Sequence, residues 1–260
     1  MACAEIIFLG TGTSIGVPAI GCDCAVCRSS DPRNKRLRSS IYIEGPDLAW
    51  VVDTGPDFRT QCLREDIRRV DAVLYTHSHI DHIAGFDDLR RFCLGRDRLL
   101  PIHATPACLE DLRRVFDYAF NGKNAYYAYV KPDPRPVSGP FSLGTTQVLP
   151  LAVQHGAVET IGYLFAFQNG RRMAYIPDCK TIEPESTDAL QGIDLLVLDG
   201  LRPTAHPTHM SIAEAVRYAA EVGAKETWLT HFTCNVDHGP CEESLPRGVR
   251  LAYDGLRLLS

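Results

Sequence analysis

Six consecutive residues, His77-Ser78-His79-Ile80-Asp81-His82, hold three imidazoles and a carboxylate, and they follow directly on the apolar run Ala72-Val73-Leu74-Tyr75. That run reads as a short buried strand, so the cluster falls where a strand stops and a loop begins. Imidazole and carboxylate are ligand types that suit zinc, manganese and iron. His77 and His79 are two apart and converge on one ion only from a loop or an extended segment. Asp81 and His82 follow the turn and are free to face a second ion. A polar surface loop that happens to be rich in His is the plain alternative, and the density of ligand types argues against it. The stretch reads as a metal site, so the fold must carry further ligands to it.

The same arrangement recurs along the chain. Apolar runs at 148–154, 173–176 and 227–230 read as strands that stop on His155, on Pro177-Asp178 and on His231. A single His in such a place is most simply a satisfied core or loop residue. Four strand ends in the same local context, His77 included, point to ligands held rigidly, as a metal site requires. Other strands are expected at 6–9, 41–43, 48–52, 101–104, 162–168 and 195–198, the last stopping on Asp199-Gly200. Helices are expected at 57–69, at 86–94 and from the cap Thr105-Pro106 to about residue 120. A fourth, at 211–221, opens on the capping box of Ser211 and Glu214. The stretch 121–140, rich in Tyr, Pro, Gly and Lys, reads as an irregular loop able to cover the site, with Tyr126, Tyr127 and Tyr129 as packing. Asp53, at the end of the 48–52 strand, reads either as a partner that orients the His loop or as a turn cap.

Two further motifs lie near the start. Gly10-Thr11-Gly12-Thr13-Ser14 allows a sharp turn with close backbone approach. It is expected at the rim of the site, with its amides facing an anion. Cys22, Cys24 and Cys27 place three thiols within six residues, the short knuckle from which structural zinc is held. The fourth ligand comes from elsewhere, and Cys234, His238 and Cys241 are the candidates. The basic run Arg33, Lys35, Arg36 and Arg38 reads as a solvated turn, with contact to substrate phosphate as the alternative.

At 260 residues, with 45% hydrophobic and 23% charged residues, the chain suits one domain over 1–260 with the zinc knuckle at 21–28. A net charge of −5 speaks against nucleic acid as a partner. No apolar run approaches a membrane span, and the first residues lack a signal peptide's pattern. Ten cysteines without that pattern suit metal ligation and reduced thiols in the cytoplasm.

The loop His77-x-His79-x-Asp81-His82, followed in order by His155, Asp178 and His231, resembles the signature of the metallo-β-lactamase superfamily. The resemblance covers nearly the whole chain. It implies an α/β (α+β) fold, an αββα sandwich of two mixed sheets flanked by helices, with a dinuclear site at one edge. One divalent ion, manganese or zinc, would take His77, His79 and His155. The other would take Asp81, His82 and His231, with Asp178 bridging.

A narrower resemblance is to the PhnP-type phosphodiesterases. It rests on Gly10 to Ser14, the cysteine knuckle, Asp53-Thr54-Gly55 and His206-Pro207-Thr208-His209. In that family the fourth ligand of a separate structural zinc lies three residues after the last active-site His, here Cys234. The family's namesake has His there, so this chain departs toward four thiolates. A His at the position of His209 is the proposed general acid, and the implied reaction is hydrolysis of a small or cyclic phosphodiester. The oligomeric state is left between monomer and homodimer. The alternatives are an RNA-processing nuclease, a lactonase or thioesterase, and a non-catalytic metal-binding accessory protein of the PqqB type.

Overall fold

The apolar runs that stop on candidate ligands are all strands in the computed structural model, which describes residues 3–94, 99–123 and 128–260. The first sheet runs, in spatial order, β1 (Glu5–Gly10), β2 (Ser40–Glu44), β3 (Ala49–Val52), β4 (Ala72–Leu74), β5 (Leu100–Ala104) and β6 (Pro132–Pro136). It is antiparallel from β1 to β3 and parallel from β3 to β6. The second sheet contains β7 (Phe141–Leu143), β8 (Thr146–His155), β9 (Val158–Ala166), β10 (Arg172–Ile176), β11 (Thr181–Ile182), β12 (Leu195–Asp199), β13 (Glu226–Thr230) and β14 (Val249–Leu251). Its order is β11-β8-β9-β10-β12-β13-β14, with β7 also pairing with β8, and it is parallel from β10 through β14. The final strand, β15 (Arg257–Leu259), returns to the first sheet beside β1.

Alternation along the strands builds the layers. Ile6, Phe8, Trp50 and Val52 from the first sheet meet Tyr163, Phe165, Leu195 and Val197 from the second in one core. Their neighbours Ile7, Leu9, Ala49 and Val51 face a second core under the helices Phe58–Arg64 and Pro106–Val115. Leu164, Leu196 and Leu198 face a third, under the helix Ile212–Glu221. Strands buried on both faces read as continuous apolar runs, which is why these were easy to find. The result is the αββα sandwich. Trp50 reaches across the middle, its ring 5.9 Å from that of Phe165. Full burial of a side chain of this size is worth about 1.5–3 kcal/mol.

Three expectations need correction. The stretch 121–140 is not wholly irregular: Pro132–Pro136 is the edge strand β6. Prolines at 132, 134 and 136 all sit on one side of the strand. The opposite side keeps its donors, and just past the strand the Val137 amide donates to Ala104 O. Pro at alternate positions is what an edge tolerates. Of the three tyrosines there, Tyr126 and Tyr127 lie outside the described residues, while Tyr129 packs 5.6 Å from the ring of Tyr118. The helix expected at 57–69 stops at Arg64, because Asp66 turns to a left-handed φ of 54°. The one expected at 86–94 is a 3-10 turn, Phe86–Leu89, followed by the short helix Arg90–Cys93. The Ser211 and Glu214 capping box is present.

The His loop is seated on a glycine. A Cβ on Gly55 would lie 2.1 Å from Asp81 O, so the loop after β4 rests directly on the backbone after β3. Gly55→Ala should destabilise the protein by about 1–3 kcal/mol in denaturant unfolding, because backbone must shift to admit the methyl. Gly139→Ala, where nothing lies within 4 Å of the added atom, should leave the midpoint unchanged.

Candidate metal centre

The site forms where parallel strands of both sheets end. Asp53 follows β3, the His loop follows β4, and Asp178, Asp199 and His231 stand at or just past the ends of β10, β12 and β13. His155 closes β8 from the side. Asp53 and His231 take the left-handed backbone conformation, with φ of 64° and 65°. That conformation is costly for residues with a Cβ and marks a chain path imposed by its surroundings.

Each ring's orientation follows from its hydrogen bonds. Asp53 is fully buried; its carboxylate accepts from Thr76 N at 2.8 Å, Thr76 Oγ1 at 2.9 Å and His82 Nδ1 at 2.8 Å. It is therefore the orienting partner, with His82 Nε2 left to face the site. Thr76 Oγ1 has given its proton to Asp53, so His77 Nδ1 donates to it at 3.0 Å and His77 Nε2 is bare. His155 Nδ1 donates to Thr208 O at 2.9 Å, which bares its Nε2 as well.

The bared atoms converge. His79 Nδ1 lies 2.9 Å from His77 Nε2 and 3.3 Å from His155 Nε2. Asp81 Oδ2 and Asp178 Oδ1 lie 3.3 and 3.4 Å from His82 Nε2. His231 Nε2 is 3.3 Å from Asp178 Oδ2. Ligand atoms of His77, His79 and His155 fall within 4.8 Å of one another, and so do those of Asp81, His82, Asp178 and His231. Asp178 reaches toward the first group too, with Oδ2 3.7 Å from His155 Nε2. One proton on His79 cannot serve two lone pairs, and buried His82 Nε2, Asp178 Oδ1 and both His231 nitrogens have no hydrogen-bond partner. Buried orphans of this kind cost free energy unless something else binds them. A donor set of imidazoles and carboxylates of this kind suits divalent cations.

Electrostatics of the first group agree with that chemistry. Burial pushes His77 well below its usual range, and it lowers His79 and His155, so all three stay neutral and able to donate a lone pair. Burial alone would raise Asp178, yet His231 and His82 outweigh it and hold the carboxyl well below its usual range.

His209 stands beside the cluster, its ring 4.9 Å from that of His231 and 4.5 Å from that of His155. Its Nδ1 donates to Asp199 Oδ2 at 2.7 Å. Asp199 is wholly buried and also accepts from Cys179 N at 3.0 Å. Burial lowers His209 to about 4 and raises Asp199 well above its usual range. Burial thus opposes net charge on the pair, so the two groups share one dissociable proton between them. Asp199 is absent from the residues expected at the site, although its signal, an apolar strand that stops on a carboxylate, is the one that marks Asp178.

The cysteine knuckle closes as expected in its geometry. Sγ atoms of Cys22, Cys24, Cys27 and Cys234 lie within 4.8 Å of one another, while His238 is turned to Glu242 at 3.1 Å. Amides already point at the sulfurs: Ala19 N is 3.4 Å from Cys27 Sγ, and Cys27 N is 3.4 Å from Cys24 Sγ. The Cys27 amide lowers Cys24 to about 7.

Two readings of the N-terminal region need correction. The basic run is not solvated throughout: Lys35 is exposed, but Arg36 turns inward. Arg36 is 1% exposed, donates to Arg33 O, Thr233 O and Asn34 Oδ1, and lies 5.0 Å over the ring of Phe232. Arg33 pairs with Asp31, Lys35 with Cys27 O and Arg38 with Asp57. Two amides of the glycine loop are already spent within the protein. Gly12 N and Thr13 N donate to Leu37 O and Phe232 O. Its glycines serve close approach instead, since a Cβ on Gly10 would lie 2.0 Å from Arg38 O.

Asp53→Asn should weaken metal binding at the His82 position by about 10–100-fold in a chelator competition, since the amide is a poorer partner for His82 Nδ1. Cys234→Ser should remove one tightly held zinc per chain by elemental analysis and lower the unfolding midpoint.

The chain matches the profile of the beta-lactamase superfamily domain over residues 50–232, from β3 to just past His231. It is 37% identical, over 97% of its length, to an octanoyltransferase of Porphyromonas gingivalis, and spans about half (51%) of that protein. It is 28% identical, over 90% of its length and 83% of the relative's, to coenzyme PQQ synthesis protein B of Methylorubrum populi. Among solved structures, a diphosphatase of the PhnP family aligns over 100% of this chain and 98% of its own with a TM-score of 0.92 and 38% identity. Zinc-bound PqqB from Methylobacterium extorquens shares the fold at a TM-score of 0.77 and 21% identity, over 98% of this chain and 99% of its own. With the sandwich, the strand-end histidines and aspartates, and these relatives in agreement, the chain belongs to the metallo-β-lactamase superfamily of metal-dependent hydrolases, on its PhnP-like branch.

Proposed function

We propose that the protein is a phosphodiesterase for small or cyclic phosphodiesters, with two divalent ions, manganese or zinc, among the histidines and aspartates and one structural zinc among the cysteines. The observation that carries this reading is the buried Asp199–His209 pair set beside the ligand cluster, 2.7 Å from carboxylate to ring. We read this pair as the proton donor for the leaving group. The whole-length likeness to a PhnP-family diphosphatase supports a phosphorus-centred reaction. Ten free cysteines suit a reducing compartment, and we place the protein in the cytoplasm.

His77, His79 and His155 would hold one ion, Asp81, His82 and His231 the other, and Asp178 would lie between them. Divalent ions in such a pair lower the pKa of water and neutralise charge on the phosphoryl group. The protein's own groups do the rest. Asp53 and the Thr208 carbonyl fix the rings of His82 and His155, so that their second nitrogens face inward. His209 Nε2 gives its proton to the departing alkoxide, and Asp199 holds the ring and steadies the charged form. A diphosphate is the second reading, favoured by the PhnP-family relative: its leaving group is a phosphate, a weak base that departs without a proton.

Elemental analysis should find about three ions per chain, one resisting chelation, together with turnover of a 2′,3′-cyclic nucleotide and of bis(p-nitrophenyl) phosphate. Cleavage of a dinucleoside diphosphate but of neither diester would select the second reading. Hydrolysis of an octanoyl thioester alone, a substrate suggested by the Porphyromonas relative's name, would replace both. One cysteine-bound zinc and no turnover would leave an accessory protein. His209→Ala should cut kcat on the cyclic nucleotide by about 10²–10⁴-fold. The loss on bis(p-nitrophenyl) phosphate should be far smaller, because p-nitrophenolate departs unprotonated. Equal rates for wild type and variant on the cyclic nucleotide would remove the acid role.

A further inference from the structure

We propose that Ser78 and Asp111 are positioning residues: a hydrogen bond between them holds the backbone of His79 so that its donor nitrogen stays turned into the metal centre. The proposal rests on the metal-centre reading and goes beyond it by giving a role to two residues outside the ligand set. The other rings around His79 are fixed through their outer nitrogens: His77 by Thr76 Oγ1, His155 by the Thr208 carbonyl and His82 by Asp53. His79 has no such partner. Its inward atom is Nδ1, 2.9 Å from His77 Nε2 and 3.3 Å from His155 Nε2, and its Nε2 meets no hydrogen-bond partner among the described residues. Nδ1 is bonded to the ring carbon nearest the chain, so a shift of the backbone carries the donor atom with it.

The backbone before His79 has little else to hold it. Among the described residues, neither His77 nor Ser78 makes a backbone-to-backbone hydrogen bond. The last such bonds before the gap are Tyr75 N to His103 O and Ile161 N to Thr76 O; the next are those that His79 O accepts from His82 N and Ile83 N. Inside the gap, Ser78 Oγ donates to Asp111 Oδ2 at 2.5 Å. A hydroxyl on a carboxylate makes one of the short, strong hydrogen bonds. Asp111 lies on the helix Pro106–Val115, whose Leu109 and Leu112 are buried in the second core, so it is an anchor on a rigid element. The His82 half needs no such latch, since Asp53 holds that ring and Asp81 O rests against Gly55.

Starting from the fully loaded protein, graded competition with a chelator resolves the ions by tightness, and H79A identifies the one held by the His77, His79 and His155 group. S78A and D111A should each weaken that ion by about tenfold, as loss of an outer partner does. The other active-site ion and the cysteine-held zinc should change by no more than about twofold, the reach of a surface substitution. The double variant should be no weaker than either single one, because both remove the same bond. D111N keeps an acceptor oxygen and should recover most of the affinity. A carboxylate that merely attracts cations would instead leave S78A unchanged and make D111N as weak as D111A; a merely structural bond would weaken all the ions alike. Either pattern, or additive losses in the double variant, would overturn the proposal. A wild-type protein whose histidines take up no ion would overturn the metal-centre reading itself, and this proposal with it.

Discussion

A buried carboxylate that belongs to two clusters at once sets the terms for this structure. Asp178 is 2% exposed, with one oxygen 3.4 Å from His82 and the other 3.3 Å from His231 and 3.7 Å from His155. Around it stand Asp81 and five imidazoles, those of His77, His79, His82, His155 and His231, whose inward nitrogens carry no partner of the right kind. In a dry slot, such a set is tolerable only when positive charge sits among its members. The fold must therefore hold the groups apart from solvent and apart from one another, at distances an ion can bridge. Rigid strand ends do this; a mobile loop would let the groups relax into pairs.

The parallel halves of the sheets supply those strand ends, and the cysteine cluster steadies one of them. Thr13 N and Thr11 O bond to Phe232, the residue after His231, and Arg36 lies over the Phe232 ring and donates to Thr233 O. Cys234 follows at once, drawn to thiols more than two hundred residues earlier (a separation of 210 from Cys24). His231 is thus set by a left-handed turn clamped on its C-terminal side by the glycine loop, the buried arginine and the four sulfurs. Closing so long a loop reduces the freedom of the unfolded chain, by an amount that grows only slowly with its length. The larger effect is local: the strained φ of His231 persists because its neighbours leave no alternative.

Much of this was legible in the sequence, for a reason that also explains the gaps. Strands buried on both faces appear as unbroken apolar runs, and the residues on which they stop are the ones that enter the site. The element ends at His77, His155, Asp178 and His231 could be read directly. Asp199 ends a strand in the same way. A carboxylate there has no chemistry until the fold brings His209 to it from ten residues on. The strand β6 was hidden by its prolines, whose alternation has meaning only once an edge is known. The basic run looked solvated because four cations in six residues seldom fold inward. Arg36 does so here because two backbone carbonyls, an amide oxygen and an aromatic face receive it. Its burial was invisible without those partners.

The outer nitrogens of the histidines show how the two halves of the site differ. His77 is held by a hydroxyl and His155 by a carbonyl, both neutral acceptors. His82 and His209 are held by the carboxylates Asp53 and Asp199. A carboxylate behind an imidazole raises its basicity, so His82 is a stronger donor than His77 or His155. Asp81 also faces only the His82 side. One half thus offers three neutral imidazoles, the other a carboxylate-backed imidazole with carboxylates of its own. The acidic half suits the harder cation and the tighter grip. The same device recurs at His209, whose ring shares one candidate ligand group with His155 and Asp178 and another with Asp199 and His231, so Asp199 both orients that ring and sets how readily it holds a proton.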